Sequence, residues 1–374
     1  MRSLLRYFQN YFAAKNILGD DAILNGLVAA DALFTSLVTE KKIPGLAISV
    51  LKNGKVYFEK GYGHSDLEQK INVAARTTSF RIASVSKCIT GMALGKMVED
   101  GIVHWDDSIY KHVPYFPKKK YDFSLRQLAG HTAGIRGYRG KEFALNQPCS
   151  IKESIVIFKN DPLVFEPGTD YLYTSFDFVL LSLAMQEASG ISFGAYVAQH
   201  ILQPLGMVAT GPEQHIPDGQ SGEEKSIGNA LQQSRQGHAL YYTKTATGYR
   251  KAVEVNNLFK LAGGGYLSTS ADIAKLGQAI LEHKILSPNT YKELLSSQTA
   301  GGTSTYYGLG FQVGKDKKGR TFFGHVGNSV GAYSNFFVYP EQRMVFSILI
   351  NCTDPKVQDI LDEVIAGLLE EADL

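Results

Sequence analysis

The hydrophobic pattern changes character along the chain: β-rich runs lie near both ends, and helical spacing dominates between them. "GLAISVLKNGKVYFEKGYG", residues 45 to 63, reads as two strands joined at Asn53-Gly54, a strong short-range hairpin signal. From about residue 84 the period becomes helical. In "SVSKCITGMALGKMVEDG" the side chains of Val85, Ile89, Met92 and Met97 fall on roughly one face, and Gly101 is a natural stop. Gly91 and Gly95 would let another backbone come close, which predicts a buried helix. Further helical segments, broken by "EPGTD" and "QPLGM", run to about residue 205, and "STSADIAKLGQAIL" predicts a capped helix beginning after Ser270. The C-terminal part alternates β-rich runs with turns: "YGLGFQVG", "TFFGHVG", "AYSNFFVYP" and "RMVFSILIN". An amphipathic helix in "DPKVQDILDEVIAGLLEE" follows. Strands at both ends with helices between them predict an α/β fold of the α+β kind, one sheet built from both chain ends with a helical region inserted.

Two segments stand apart from that scheme. The start, "MRSLLRYFQNYFAAKNILGDD", carries Arg2, Arg6 and Lys15 with no acid before Asp20. Its apolar stretch is interrupted by Arg6, Gln9 and Asn10, so it is a poor secretory signal; an amphipathic first helix and the remnant of a targeting sequence both stay open. Between 211 and 257 lies a polar stretch too long for a plain connection, read as a surface excursion or an active-site border.

Composition narrows the function classes. A formal net charge of +2 over 374 residues gives no electrostatic case for nucleic acid or an anionic membrane. No apolar run approaches the roughly 18 residues that a membrane span requires. The three cysteines, Cys88, Cys149 and Cys352, are odd in number, widely spaced and without a C-x-x-C, so neither a disulfide framework nor a structural zinc site is expected. His64, His104 and His112 are isolated and form no zinc pattern. Gly263-Gly264-Gly265 lacks the Lys-Ser/Thr of a phosphate loop and reads as a turn packed beside other backbone.

Two serine chemistries can be tested on the sequence. Gly327-Asn328-Ser329-Val330-Gly331 fits G-x-S-x-G, the nucleophile elbow that joins a strand to a helix and is followed later in the chain by a histidine. Here a β-rich run follows, and no histidine occurs after His325, so the elbow reading of Ser329 is rejected. The second chemistry is S-x-x-K, in which residues three apart share a helix face and the amine reaches the hydroxyl. It occurs at Ser49/Lys52, Ser84/Lys87 and Ser108/Lys111. The first pair lies in a predicted strand, where an offset of three gives opposite faces. The third lies in a short proline-bounded segment. Only Ser84 and Lys87 open a long apolar helix, where the N-terminal amides favour negative charge and a desolvated lysine can act as a base. Simple capping by Ser84 with a solvated Lys87 is the alternative that the motif alone leaves open.

Read in order, "FRIASVSK", "LRQLAGHTAGI", "EPGTDYLYTS", "LQPLGM", "AGGGYLSTSADIAKLGQAIL", "YGLGF" and "GHVGNSVGAYSNFFVYP" resemble the serine β-lactamase-like family. That family includes class C β-lactamases, DD-peptidases, family VIII esterases and the mitochondrial LACTB-type proteins. The resemblance covers about residues 40 to 352, and "YLYTS" and "GHVGNS" look most like the LACTB-type branch. It implies an antiparallel sheet flanked by terminal helices, with an all-α lobe at about 66–260. A helical segment at 1–39 would precede the domain, and a helix at 353–374 would pack on the sheet. It implies Ser84 as nucleophile, Lys87 as its helical partner, and Tyr173, in the place of the family's Tyr-x-Asn tyrosine, as a phenolate that helps deprotonate Ser84. His325-Val326-Gly327 takes the place of a Lys-Thr-Gly strand. The N–H groups of Ser84 and Asn328 would then hold the oxyanion, with Ser175, His325 and Gly327 beside the substrate.

Three departures qualify the resemblance. His325 replaces a permanent cation, Ser175 replaces the asparagine of Tyr-x-Asn, and no glutamate matches a class A deacylation base; Glu166 in "FEPG" receives no role. His131 in "GHTAGI" has no acid at ligand spacing and is read as structural, and Cys88 as a buried, unreactive thiol. The expected function is a serine hydrolase acting on a small-molecule or peptide ester or amide, a peptidase or esterase with at most weak β-lactamase activity. Two alternatives stay open: a LACTB-like binding or filament-forming protein with weak or no catalysis, and a genuine class C-like β-lactamase or DD-peptidase. No metal or organic cofactor, nucleic acid or membrane span is implied. A homo-oligomer and the compartment are left open, with the cytoplasm favoured by the lack of a clean signal.

Overall fold

Asn53 and Gly54 both adopt positive φ, 51° and 77°, the turn geometry that matches strand twist. They join β1 (Gly45–Lys52) to β2 (Lys55–Asp66) as the hairpin signal predicts. The computed structural model describes residues 26–213 and 237–372; the expectations for residues 1–25 and for 214–236 lie outside the described residues.

Five further strands complete the main sheet among the described residues: β3 (Ile71–Asn72), β4 (Gln312–Lys315), β5 (Thr321–Ser329), β6 (Ala332–Tyr339) and β7 (Met344–Ile350). Their order is β4-β5-β6-β7-β1-β2-β3, every pair antiparallel. The chain ends meet where β1 pairs with β7, from Leu46 opposite Ile350 to Lys52 opposite Met344. Both faces are covered, which is why these strands read as continuous apolar runs. Leu46, Ile48 and Val50 of β1 and Phe346 and Ile348 of β7 pack under α1 (Gly26–Thr39) and the C-terminal helix Gln358–Ala372. Ala47, Val345 and Leu349 point the other way, into the larger core shared with the helical region.

That region holds α2 (Ser86–Glu99), α3 (Ser175–Ser189) and α4 (Ser270–Leu281). The sequence placed one face of α2 in the core, but every residue from Ser86 to Gly95 is buried, because neighbouring elements enclose the helix on all sides. The close approach expected at Gly91 is present: an added Cβ would stand 2.4 Å from the Leu309 carbonyl oxygen. Two boundaries differ from expectation. The cap of α4 is Thr269, whose side chain accepts from the Asp272 amide, while Ser270 is already helical and bonds Ser49 and Ala75. In "YGLGFQVG" only Gln312–Lys315 forms a strand, since the preceding residues are drawn against α2 and the Leu294 carbonyl instead. Among the described residues no single helix is long and apolar enough to cross a membrane.

Candidate active site

The short strand Phe80–Arg81 leads into a tight turn, Ala83–Val85, that runs directly into α2. Ala83 has φ 46°, an uncommon conformation for a residue with a side chain, and it presents the next residue, Ser84, at the head of the helix. One turn along, the Lys87 amine lies 3.3 Å from Ser84 Oγ and donates to the Gly263 carbonyl at 2.6 Å. The Tyr173 hydroxyl, 89 positions away in sequence, donates to Ser84 Oγ at 2.7 Å. The structure therefore brings Ser84, Lys87 and Tyr173 together. The other two S-x-x-K pairs are spent on structure: Ser49 bonds Glu59 and Ser270, and Ser108 caps the short helix Ile109–His112 while Lys111 pairs with Asp107.

Burial sets the electrostatics of this corner. Lys87 is fully buried, and desolvation brings its amine down to about 7, against the opposing influence of Cys88 and Asp177. Tyr173 is 38 % exposed and its bond to Ser84 is open to the cleft, yet desolvation by the surrounding protein pushes the phenol up despite that bond. The phenolate expected of Tyr173 is thus disfavoured: the tyrosine is held as a phenol, and Lys87 is the group that loses its proton near neutrality. Behind the corner, His131 Nδ1 lies 2.7 Å from Asp177 Oδ2, with both residues fully buried. Burial pushes Asp177 up and His131 down, so the pair sits without net charge. No local pattern signals this acid, which is 46 positions away. The His131 ring packs 4.5 Å from that of Tyr173, so its structural role is to back the tyrosine. Cys88 is buried, its thiol bonded to the Gly310 carbonyl and pushed up by desolvation.

Strand β5 forms the opposite wall. His325 corrects the expectation of a substrate contact: it is buried and does not line the cleft. Its Nδ1–H donates to the Val326 carbonyl at 2.6 Å, leaving Nε2 to accept from the Tyr307 hydroxyl at 3.0 Å. Burial lowers the imidazole to about 3, so the ring is neutral. Gly327 likewise makes no substrate surface. It is a point of close approach, where an added Cβ would stand 2.9 Å from the Ser84 nitrogen and 2.8 Å from the Ile82 carbonyl oxygen. Val330 and Gly331 form the two-residue turn from β5 to β6, so "GNSVG" is a hairpin and no elbow. In such a hairpin Ser329 and Ala332 are the hydrogen-bonded closing pair, which makes Asn328 and Tyr333 the non-bonded pair before it. The Asn328 N–H therefore points away from β6, on the side where β4 has ended: β4 reaches only Gly324, and Gln312 takes the Val326 amide.

Between these walls lies a cavity of ≈ 100 Å³. Ser84, Ser175, Asn328 and Ser329 line it. Ser175 is the first residue of α3, after the Thr174 cap. Tyr138, Phe143, Val255, Asn257 and Lys260 line it too, although no motif marks them as site residues. The one available signal was Lys260, a lone charge in the apolar run "NNLFKLAGGGY".

A family model described as Beta-lactamase matches residues 30–370. The chain belongs to the beta-lactamase family. Within that family it is similar to human "Serine beta-lactamase-like protein LACTB, mitochondrial", 26 % identical over 398 residues, covering 80 % of this chain and 69 % of LACTB. It is 34 % identical over 174 residues to "Protein flp" of Staphylococcus aureus strain MW2, which covers 45 % of this chain and only 34 % of that protein's own length. The structure resembles the octameric penicillin-binding protein homologue from Pyrococcus abyssi, with TM-score 0.76 and 25 % identity over 91 % of this chain and 77 % of that one. The antiparallel sheet with terminal helices on one face and a helical region on the other is the architecture that this family shares.

Proposed function

We propose that this beta-lactamase family member is a serine hydrolase that acts through an acyl-enzyme on an ester or amide, as a peptidase or esterase. The observation that carries the reading is the double hydrogen bonding of Ser84 Oγ, to the Lys87 amine and to the Tyr173 phenol. With its amine near 7, Lys87 takes the Ser84 proton as Oγ attacks the carbonyl carbon. The N–H groups of Ser84 and Asn328 stabilise the tetrahedral oxyanion, each such donor typically worth about 3 kcal/mol. Tyr173 passes a proton to the departing oxygen or nitrogen and is reprotonated from Lys87. Water then enters, gives up a proton along the same path, and releases the acid and Ser84. The neutral, enclosed His325 leaves the strand wall without the cation that a β-lactam or D-alanyl carboxylate would meet there, so β-lactamase and DD-peptidase action are expected to be weak.

Intact-mass measurement after treatment with a fluorophosphonate tests this. A single adduct mapping to Ser84, and absent from Ser84→Ala, is expected; an adduct on Ser329 or none at all overturns it. A second reading, an assembly protein with weak catalysis, draws on the octameric neighbour. Light scattering against concentration decides it, since a species of constant small mass removes that reading.

A further inference from the structure

Lys260 is the one lysine besides Lys87 that is almost entirely buried among the described residues, being 6 % exposed, and it lines the same cavity as Ser84. It ends the short helical turn Leu258–Lys260, just before the 261–265 turn whose Gly263 carbonyl holds Lys87. Its amine donates to the Phe143 carbonyl at 2.9 Å, and the rings of Phe259 and Tyr138 lie 5.3 and 5.9 Å away. Among the described residues no carboxylate pairs with it. Arg81, the nearby cation, is differently placed: Glu213 grips its guanidinium at 2.8 and 2.9 Å, the Val330 carbonyl takes a third bond, and Tyr241 stacks beneath it. Among the described residues the charge of Arg81 is paired and that of Lys260 is not. An ammonium out of water with one acceptor is costly unless a counter-charge arrives. Burial and the neighbouring Arg81 hold the amine down at about 8, which still leaves it mostly charged at pH 7.

We infer that Lys260 is a specificity residue that binds a carboxylate on the acyl part of the substrate, so that the preferred substrates are esters or amides of dicarboxylic or acidic acyl groups. The inference rests on the acyl-enzyme reading of Ser84. Lys260 lines the cavity together with Tyr138, Phe143, Ser175 and Asn257, none of which belongs to β5, so the cleft holds a cation although the neutral His325 supplies none on the strand. The occupant's carboxylate would supply both the missing charge and acceptors for the two remaining N–H groups of Lys260. An apolar chain of a few carbons suits the remaining lining of Tyr138, Phe143 and Val255.

The test uses p-nitrophenyl esters of matched length: mono-p-nitrophenyl adipate, the corresponding adipamide ester and the 6-aminohexanoate ester, with spontaneous hydrolysis subtracted. The wild-type protein is expected to prefer the carboxylate over the carboxamide by about tenfold or more in kcat/KM, with the ammonium ester poorest. The preference should fade as pH rises through about 8 and Lys260 loses its charge. In Lys260→Gln the ratio of carboxylate to carboxamide should fall to within about threefold, and Lys260→Arg should keep most of it. In the wild type, adipate should slow fluorophosphonate labelling of Ser84 while adipamide does not, a measurement that needs no variant. A wild-type protein with no preference, or a preference that survives Lys260→Gln, overturns the inference. Failure of the underlying reading looks different, because Ser84 would then not be labelled at all.

Discussion

Two clusters of aromatic and basic side chains meet beside the cleft, the Tyr173 and His325 rings 5.8 Å apart, and they hold their protons in opposite ways. In the corner of Ser84, Lys87 and Tyr173, burial leaves the amine near 7, so both of its protonation states are within reach at neutral pH. In the pair Tyr307–His325 behind β5, burial takes the imidazole to about 3 and both ring nitrogens are committed, one as donor and one as acceptor. Desolvation acts on both bases with the same sign. The difference is what each is bonded to: Lys87 faces a hydroxyl that can give up a proton, whereas His325 faces a phenol and a backbone carbonyl that only fix its tautomer. One cluster is built for proton movement, the other to stiffen a wall.

The comparison breaks most severely at Ser84. Ser84→Ala is expected to abolish fluorophosphonate labelling and lower turnover of any substrate found by at least ~10³-fold, measured by intact mass and by steady-state kinetics. Next comes the base. In the wild type kcat/KM should rise as pH passes through about 7, where Lys87 loses its proton. Lys87→Arg, charged at every accessible pH, should lose ~10²–10⁴-fold in rate and the acid limb with it. A stability measurement sharpens the same point. Burial lowers the folded-state amine from 10.5 to about 7, so the cost of holding it charged is fully present below pH 7 and fades as pH climbs toward 10.5. Lys87→Met should therefore raise the melting temperature, more at pH 6 than at pH 9, with a gain on the order of 2 kcal/mol. Equal gains at both pH values would mean that the amine is not desolvated as described.

Tyr173→Phe removes the second bond to Ser84 Oγ and is expected to cost ~10²-fold in the acylation rate, read from the time course of labelling. The loss should be smaller than at Lys87, because a water can occupy the space of the lost hydroxyl at this half-exposed position.

How much of this was legible in the sequence depends on range. The Asn53-Gly54 hairpin and the helix after Ser84 follow from local rules, since turn residues and a 3.6 period act within a few positions. The Ser84/Lys87 contact is one helical turn, equally local. What joins Tyr173 to Ser84 is the packing of α3 and the segment before it against the head of α2, and what joins Asp177 to His131 is the packing of α3 against the Leu125–Ala129 helix; no periodicity encodes either. The resemblance pointed to Tyr173, which the structure sets beside Ser84, and also carried over a histidine as a substrate contact. His325 is enclosed because Tyr307, 18 positions earlier, folds over it. Lys260 was passed over for the converse reason: a charge in an apolar run looks like a surface residue until the cavity beside it is seen.

Substitutions on the strand wall are expected to have milder effects. His325→Lys restores the family-typical residue type, and if the wall were a recognition surface it should improve turnover of substrates with a carboxylate on the leaving group. The enclosure predicts otherwise. The new amine would lose the Tyr307 and Val326 partners' geometry and sit charged out of water, costing about 3 kcal/mol of stability without a gain in turnover. A lower unfolding midpoint in denaturant with unchanged preference among substrates is the expected result.

Ser329→Ala should have the smallest effect, and its smallness is informative. Ser329 lines the cleft at the end of β5, yet its hydroxyl has no hydrogen-bond partner among the described residues, so truncation strands nothing. Among the described residues no base is bonded to it, and the residue closes a hairpin turn where a nucleophile elbow would need a helix. A change of less than about threefold in labelling rate is expected, the usual range for a substitution that removes no partnered group. Two serines would then line one cavity, one indispensable and one dispensable. What separates them is that Ser84 is bonded to an amine that can give up its proton near neutral pH, while the Ser329 hydroxyl has no partner among the described residues.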